Sequence, residues 1–436
     1  MSYHSWGRYP QVEQKVEHLR WLSEIPSFEA NSSYLTQGMA RSYGDSCLNA
    51  NGQILSSRSL SRIISFDISS GIIEVESGIT LAEILDFSVT KGWFIPVPPG
   101  TKFVSVGGAI ANDIHGKNHH TQGTFGRHVL SFRLLRSDSQ QLICTKDSNS
   151  KLFSATIAGL GLTGVILSAK IQLKKIASAF IDSETIQYKG LDEFFELSGD
   201  SDKKYEYTAA WIDCVSSGDK FARGIFYRGN HAAKETQTKA GSKSFAIPVP
   251  IDFPAFALNK WSMQAFNTFW FHKQRIPKVS KICHYDPFFF PLDGVLNWNR
   301  IYGVRGFFQF QCLIPPETAR EAIREIIEKT INSGKASFLA VIKQFGALKS
   351  PGMLSFPREG TTLTMDFANQ GAKTQAMIRE LYKMVLASGG SIYPAKDALM
   401  TEQMYKKSYP NWEEFLEFKD PKFSSSFWRR VMGENS

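Results

Sequence analysis

Cysteine is scarce and unpatterned in this chain: Cys47, Cys144, Cys214, Cys283 and Cys312 are scattered, odd in number and without a C-x-x-C pair. A disulfide framework and a structural zinc cluster are thereby excluded as organising devices, reduced thiols are expected, and no metal site is. Long apolar runs are also missing, and none approaches the roughly 20 residues that would span a bilayer. The segment Met1–Arg8 has no apolar stretch of the signal-peptide kind, so the expected location is the cytoplasm. There is no internal repeat and no low-complexity tract. Acidic residues are outnumbered, 41 Asp and Glu against 50 Lys and Arg, leaving a net charge of +9. Such a surface favours phosphorylated substrates, anionic headgroups or polyanions, and charge alone does not choose among them. Apolar and charged fractions of 42% and 21% are ordinary for a globular protein. With 436 residues, one core is too few and two domains are expected.

Residues 9–25 read as a surface helix. Short apolar runs over residues 53–79, such as Ile72-Ile73-Glu74-Val75, read as strands. Thr80-Leu81-Ala82-Glu83 has the form of a capping box opening a helix, with Gly92 placed as its stop. Strands and glycine-rich turns continue to about Leu173. Further on, residues 205–227 read as paired strands, and Phe307–Ile314, Ala336–Phe345 and Thr361–Phe367 as single ones. Two apolar stripes mark helices, one through Ala322, Ile323, Ile326 and Ile327, the other through Met377, Ile378, Leu381, Met384 and Val385. Gly334 and Gly389 end them. The fold class is α+β, with an antiparallel sheet backed by helices in the second half.

Three glycine-rich segments carry the chemical signal. In Gln37-Gly38-Met39-Ala40-Arg41-Ser42-Tyr43-Gly44-Asp45, backbone N–H groups can form an anion nest, although a plain tight turn reads equally well. In the stretch from Pro98 to Lys117, Gly107 and Gly108 admit close approach of a ligand, and small residues follow as they would beneath a flat ring system. The third, Gly159-Leu160-Gly161-Leu162-Thr163-Gly164, has the G-x-G-x-x-G spacing of a dinucleotide site. Its context is wrong: Val165-Ile166-Leu167 continues as a strand, and no acidic residue ends a strand about 20 positions on.

In this order the segments resemble the FAD-binding domain of the vanillyl-alcohol-oxidase-like flavoenzymes. Four strings sharpen the resemblance to the oxidase-subunit family of decaprenylphosphoryl-β-D-ribose 2-epimerase. They are Gly38-x-x-Arg41-Ser42-Tyr43-Gly44-Asp45, Pro99-Gly100-Thr101-x-x-Val104-x-Val106-Gly107-Gly108-Ala109-Ile110, Asp113-Ile114-His115-Gly116-Lys117-Asn118-His119-His120 and Gly161-Leu162-Thr163-Gly164. Leu258–Trp261, Pro291–Asp293, Trp298–Arg300, Leu354–Pro357 and Tyr393–Asp397 extend it over nearly the whole chain.

That resemblance implies a two-domain fold: an FAD-binding domain of residues 1–178, completed by 392–436, around a substrate domain of residues 179–391. It implies FAD contacts from Gly38 through Asp45 (Met39, Ala40, Arg41, Ser42, Tyr43 and Gly44 included), from Gly100, Ser105, Val106, Gly107, Gly108, Asn112, Asp113, Ile114 and His115, and from Val165, Ile166 and Tyr393. Many relatives link flavin to a histidine of the first loop; Tyr43 stands there, so FAD is expected to be non-covalent. Lys396 matches the active-site lysine, which orients the reacting oxygen or accepts its proton, and His115 is the second catalytic candidate. Lys117, Gln309, Gln311, Lys343, Phe345 and Thr364 match the substrate pocket, with lysine for phosphate and glutamine for sugar hydroxyls. Two departures stand out: Thr364 occupies the place of a reactive cysteine in mycobacterial relatives, and Phe289 that of a tyrosine.

The implied reaction oxidises the 2-hydroxyl of a polyprenylphosphoryl ribose to a keto sugar, and a separate NAD(P)H-dependent short-chain reductase would complete an epimerisation toward arabinose. An alditol or aldonolactone oxidase of soluble sugars and a flavin-retaining membrane scaffold without turnover are the alternatives. The stretch Arg228–Lys281 places nine Lys and Arg among Phe245, Phe253, Phe256, Trp261, Phe266, Phe269, Trp270 and Phe271, against Glu235 and Asp252. It suits a peripheral contact with the inner membrane, or else a loop and an ordinary core helix. No nucleic-acid partner is expected.

Overall fold

The computed structural model describes residues 3–233, 246–254, 257–335 and 337–433. Glu235, Phe245, Phe256 and Ala336, singled out above, lie outside them. Among the described residues three larger sheets carry the fold. Lys15–His18, Gln53–Ser56 and Tyr34–Gln37 form a small parallel sheet in that order. Ile63–Asp67, Ile72–Glu76, Val165–Gln172, Val129–Leu135 and Gln141–Thr145 form a five-stranded antiparallel one. The third has eight antiparallel strands, in the order Lys278–His284, Phe180–Tyr188, Gly224–His231, Tyr207–Ile212, Ala340–Phe345, Gly360–Ala368, Phe307–Ile314 and Ser391–Ile392. The α+β reading holds. The helix expected over residues 9–25 does not form: its centre is the strand Lys15–His18, because pairing with Gln53–Ser56 satisfies its backbone and overrides a weak local helix preference.

Local signals elsewhere act as read. Thr80 Oγ1 accepts from Glu83 N, and Glu83 Oε2 accepts from Thr80 N, closing the capping box of helix Leu81–Ser88. The chain leaves the following turn through Gly92 at φ 79°. Leu81, Ile84 and Leu85 then pack with Val106, Ala109 and Ile110 against the five-stranded sheet.

The eight-stranded sheet divides its faces by the two-residue pleat. Phe308, Phe310, Cys312, Leu363, Met365, Phe367 and Ile342 enter a core with the buried stripes of helices Ala319–Asn332 and Ala372–Ala387. The opposite face carries Gln309, Gln311, Thr364, Asp366, Val341 and Lys343, all on one cavity. A polar set inside a strand therefore faces a site.

After Ser391–Ile392 the chain returns to the N-terminal region. Tyr34 N donates to Lys422 O and Ser424 N to Tyr34 O, at 2.8 and 2.9 Å. Arg430 closes this return: its Nε and Nη2 donate to Asp45 at 2.8 and 2.7 Å, and Nη2 also meets Asp397 Oδ2 at 2.9 Å. Asp397 Oδ1 accepts from Tyr382 OH, Leu399 N and Met400 N. Replacing Arg430 with Met leaves two buried carboxylates without their cation, which costs about 3–5 kcal/mol. The R430M urea-unfolding midpoint should fall accordingly relative to wild type.

Candidate functional site

The cavity holds about 380 Å³ and is lined from five directions. One wall is the loop Gly38–Tyr43. A second comes from Gly100, Ser105, Gly107, Gly108, Asn112, Ile114 and His115, and a third from Leu160, Gly161 and Ile166. The polar sheet face and the turn Tyr393–Lys396 close the far end, while Leu292–Trp298 forms a roof.

Two glycines make the first walls possible. A Cβ on Gly38 would stand 2.0 Å from Ser105 Oγ, and one on Gly44 1.7 Å from Asp397 O. Only backbone without side chains lets these segments touch. Ser105 also caps the short helix Val106–Ala111 by accepting from Gly108 N. Around this end Thr36 Oγ1, Ser46 Oγ and Ser77 Oγ are buried at the cavity wall without a hydrogen-bond partner. Buried hydroxyls are rarely left unpaired, so a ligand rich in acceptors fits here. Arg41 adds a guanidinium stacked 4.0 Å over the Trp6 ring. These features fit the phosphates and flat rings of FAD.

The other end is cationic. Lys396 Nζ lies 3.8 Å above the Tyr43 ring, and burial pushes its ammonium down to about 7, opposed by the Asp366 charge. Lys343 also falls to about 7, through burial and repulsion from Lys117 and Lys396. Lys117 falls to about 8 through burial, opposed by Asp293, and donates to Phe289 O at 2.8 Å. His115 is held far below its ordinary value by burial, Lys343, His119 and Lys396, so its ring is neutral. Both ring nitrogens are engaged: Nδ1 lies 3.2 Å from Lys343 Nζ and Nε2 2.9 Å from the Gln311 amide.

Of the residues expected at the site, Gly38, Met39, Ala40, Arg41, Ser42, Tyr43, Gly100, Ser105, Gly107, Gly108, Asn112, Ile114, His115, Ile166, Gln309, Gln311, Lys343, Thr364, Tyr393 and Lys396 line this cavity. Seven do not. Gly44 abuts Asp397, Asp45 is taken by Arg430, and Val106 and Val165 are core residues. Asp113 accepts from Gly126 N, Ser350 Oγ and Ser355 Oγ beneath the wall. Phe345 stacks on His119, and Lys117 is tied to the Phe289 carbonyl. Sequence reasoning missed Asp366, which lines the cavity 1% exposed, and the roof residues Asp293 and Trp298. A lone carboxylate in an otherwise apolar and threonine-bearing strand was the available signal for Asp366. Cys47, also at the wall, is pushed up to about 12 by burial, which leaves its thiol protonated.

Residues 28–145 match the FAD binding domain family. Over 417 residues the chain is 34% identical to decaprenylphosphoryl-β-D-ribose oxidase of Mycolicibacterium smegmatis, covering 92% of this chain and 90% of that protein. An uncharacterised protein in the mprA 5' region of Streptomyces coelicolor is 28% identical over 369 residues, 81% of this chain and 100% of its own length. Human Delta(24)-sterol reductase shares 28% identity over 111 residues, 26% of this chain and 22% of that one. A glycine-built cradle, a lysine-lined far end and near full-length similarity agree: the chain is an FAD-dependent oxidoreductase and belongs to the decaprenylphosphoryl-β-D-ribose oxidase family.

Proposed function

We propose that this chain oxidises the 2-hydroxyl of a polyprenylphosphoryl-β-D-ribose to the 2-keto sugar, with FAD held non-covalently. The observation that carries this reading is the convergence of Lys396, Lys343, His115 and Gln311 on one cavity beside the glycine-built cradle. FAD, when bound, supplies the hydride acceptor. The chain supplies the rest. The cavity-lining residues of the first two glycine segments, with Ile166 and Tyr393, hold FAD, and Gly44, Asp45, Val106, Asp113 and Val165 support that wall from behind. Tyr393 is fixed by its hydroxyl donating to Asn112 O at 3.0 Å and by stacking on Phe356. Lys396 orients the sugar oxygen and stabilises its developing negative charge. Lys343, with Lys117 behind it, meets the phosphodiester, whose single negative charge offsets part of the mutual repulsion of these ammoniums. Gln311 and the neutral His115 contact sugar hydroxyls, while Thr364 and Phe345 shape the pocket. With both ring nitrogens engaged, His115 is poorly disposed to bond covalently to flavin.

The domain division that goes with this reading assigns residues 1–178 and 392–436 to FAD and 179–391 to the substrate. The keto product then requires a reductase of the NAD(P)H-dependent short-chain type as partner. A peripheral membrane contact is also part of the proposal. Among the described residues no helix is long and apolar enough to cross a membrane. Helix Lys260–Lys273 instead buries Met263 and Asn267 and leaves Trp261 and Phe269 78% and 66% exposed, between Lys260 and Lys273. Aromatic side chains flanked by lysine suit an anionic lipid surface.

Five outcomes are expected. Flavin should leave the protein on denaturation, and anaerobic farnesylphosphoryl-ribose should bleach its absorbance; peroxide release from free sugars without such bleaching would sink the substrate assignment. Lys396→Met should keep flavin bound yet slow its reduction about 10²–10³-fold in stopped flow. Because the charged lysine is present below its value of about 7 and lost above it, wild-type kcat/KM should fall as pH rises through that region. Gly38→Ala, whose methyl displaces Ser105, should lower the flavin content of purified protein, read as the ratio of flavin to protein absorbance. For the membrane contact, joint Trp261→Glu and Phe269→Glu substitution should reduce cosedimentation with anionic vesicles severalfold, with flavin content unchanged.

A further inference from the structure

Asp366 sits on Gly360–Ala368 directly opposite Gln309 of Phe307–Ile314, and both side chains face the cavity. Gln309 Nε2 donates to Asp366 Oδ1 at 2.5 Å, and Tyr302 OH donates to Oδ2 at 3.4 Å. The backbone is fixed as well, with Asp366 N donating to Ser337 Oγ at 3.0 Å. Around the carboxylate stand aromatic rings: Tyr302 stacks on Phe307 at 4.2 Å, and Phe307 meets Tyr43 edge-on at 5.4 Å. Among the described residues no arginine pairs with it, and the cation whose charge reaches it is Lys396. The relation is mutual, since the acidic group whose charge reaches Lys396 is Asp366. The other groups facing Lys396 are the Tyr43 ring from the first loop, His115 from the second and Lys343 from Ala340–Phe345. Asp397, its chain neighbour, is turned away and held by Arg430 and Tyr382.

We infer that Asp366 is a positioning residue: anchored by Gln309 and Tyr302 on the cavity that Lys396 also lines, it is the counter-ion that keeps the Lys396 ammonium charged. This deepens the proposed role of Lys396 and rests on it for the effect on catalysis. It also reassigns Gln309, which is spent on Asp366 rather than on sugar hydroxyls. The direction of the electrostatics agrees, because burial raises Asp366 to about 7 while the Gln309 bond and Lys396 pull it back toward the charged form. An ammonium and a carboxylate sharing a desolvated end hold each other ionised, and removing either charge leaves the other costly to keep.

The test reads the charge of Lys396 without relying on turnover. FAD-loaded protein is pulse-labelled with acetic anhydride across pH, and acetylation of Lys396 is followed by mass spectrometry. In Asp366→Asn the labelling midpoint should move down by about one pH unit or more. Gln309→Met should move it the same way by less, since Asp366 without its donor is more readily protonated; this milder variant serves if Asp366→Asn does not fold. The basic limb of flavin reduction by farnesylphosphoryl-ribose should shift in parallel. A midpoint unmoved in a folded, flavin-containing variant overturns the proposal, even if reduction is slower. A midpoint that moves in protein never reduced by that substrate leaves the counter-ion role standing and removes the substrate reading instead.

Discussion

The bridge made by Arg430 between Asp45 and Asp397 is the interaction on which the rest of the site depends. Asp45 ends the first glycine-rich loop, and Asp397 follows the cavity lysine in the chain. One guanidinium therefore binds the glycine-rich loop and the turn that carries Lys396 at a fixed separation. Backbone contacts continue the seam: Tyr43 N donates to Ala395 O at 2.9 Å, and Gly44 lies flat against Asp397. Lys396 is thus placed over Tyr43 by its neighbours on both sides, and its long flexible stem contributes little to its position. Rigid support of this kind is what the role proposed for Lys396 requires.

Sheet geometry supplies the complementary constraint. An antiparallel sheet covered by helices on one face leaves the other free, and alternate residues of three adjacent strands become the site floor. Apolar and chemical demands are separated by the pleat, so either set can change without disturbing the other. Removing water from this floor is what depresses its lysines and raises Asp366. Two cavity-lining ammonium groups of low affinity for protons, Lys343 and Lys396, with Lys117 behind them, make the charge of the cavity responsive to what enters it. An anionic guest draws protons onto them and tightens its own binding.

Much of this was legible beforehand because it is written locally. Thr80 and Glu83 specify a cap over four residues, and Phe307–Ile314 alternates polar and apolar side chains at the period of a strand whose faces differ. The glycine segments were readable as ligand-contacting backbone through the family strings. What escaped depends on pairing between distant segments. Nothing near Asp366 announces that Gln309 will stand opposite, and residues 9–25 do not declare a parallel partner at 53–56. The roof Leu292–Trp298 was known only as marker strings, since its position over the cavity comes from contacts such as Lys102 N with Asp293 Oδ2 at 2.9 Å, 191 residues apart. Val106, Val165 and Asp113 were grouped with the cofactor because they adjoin true wall residues in sequence, yet each turns its side chain inward.

The seam between residue 45 and residue 430 has a temporal consequence. A ribosome adds residues at a finite rate, and the first glycine-rich loop emerges long before its clamp. Until Arg430 has been made, that loop lacks its anchor and the two carboxylates lack their cation. A cavity wall that depends on this anchor is therefore complete only after residue 430 has been synthesised.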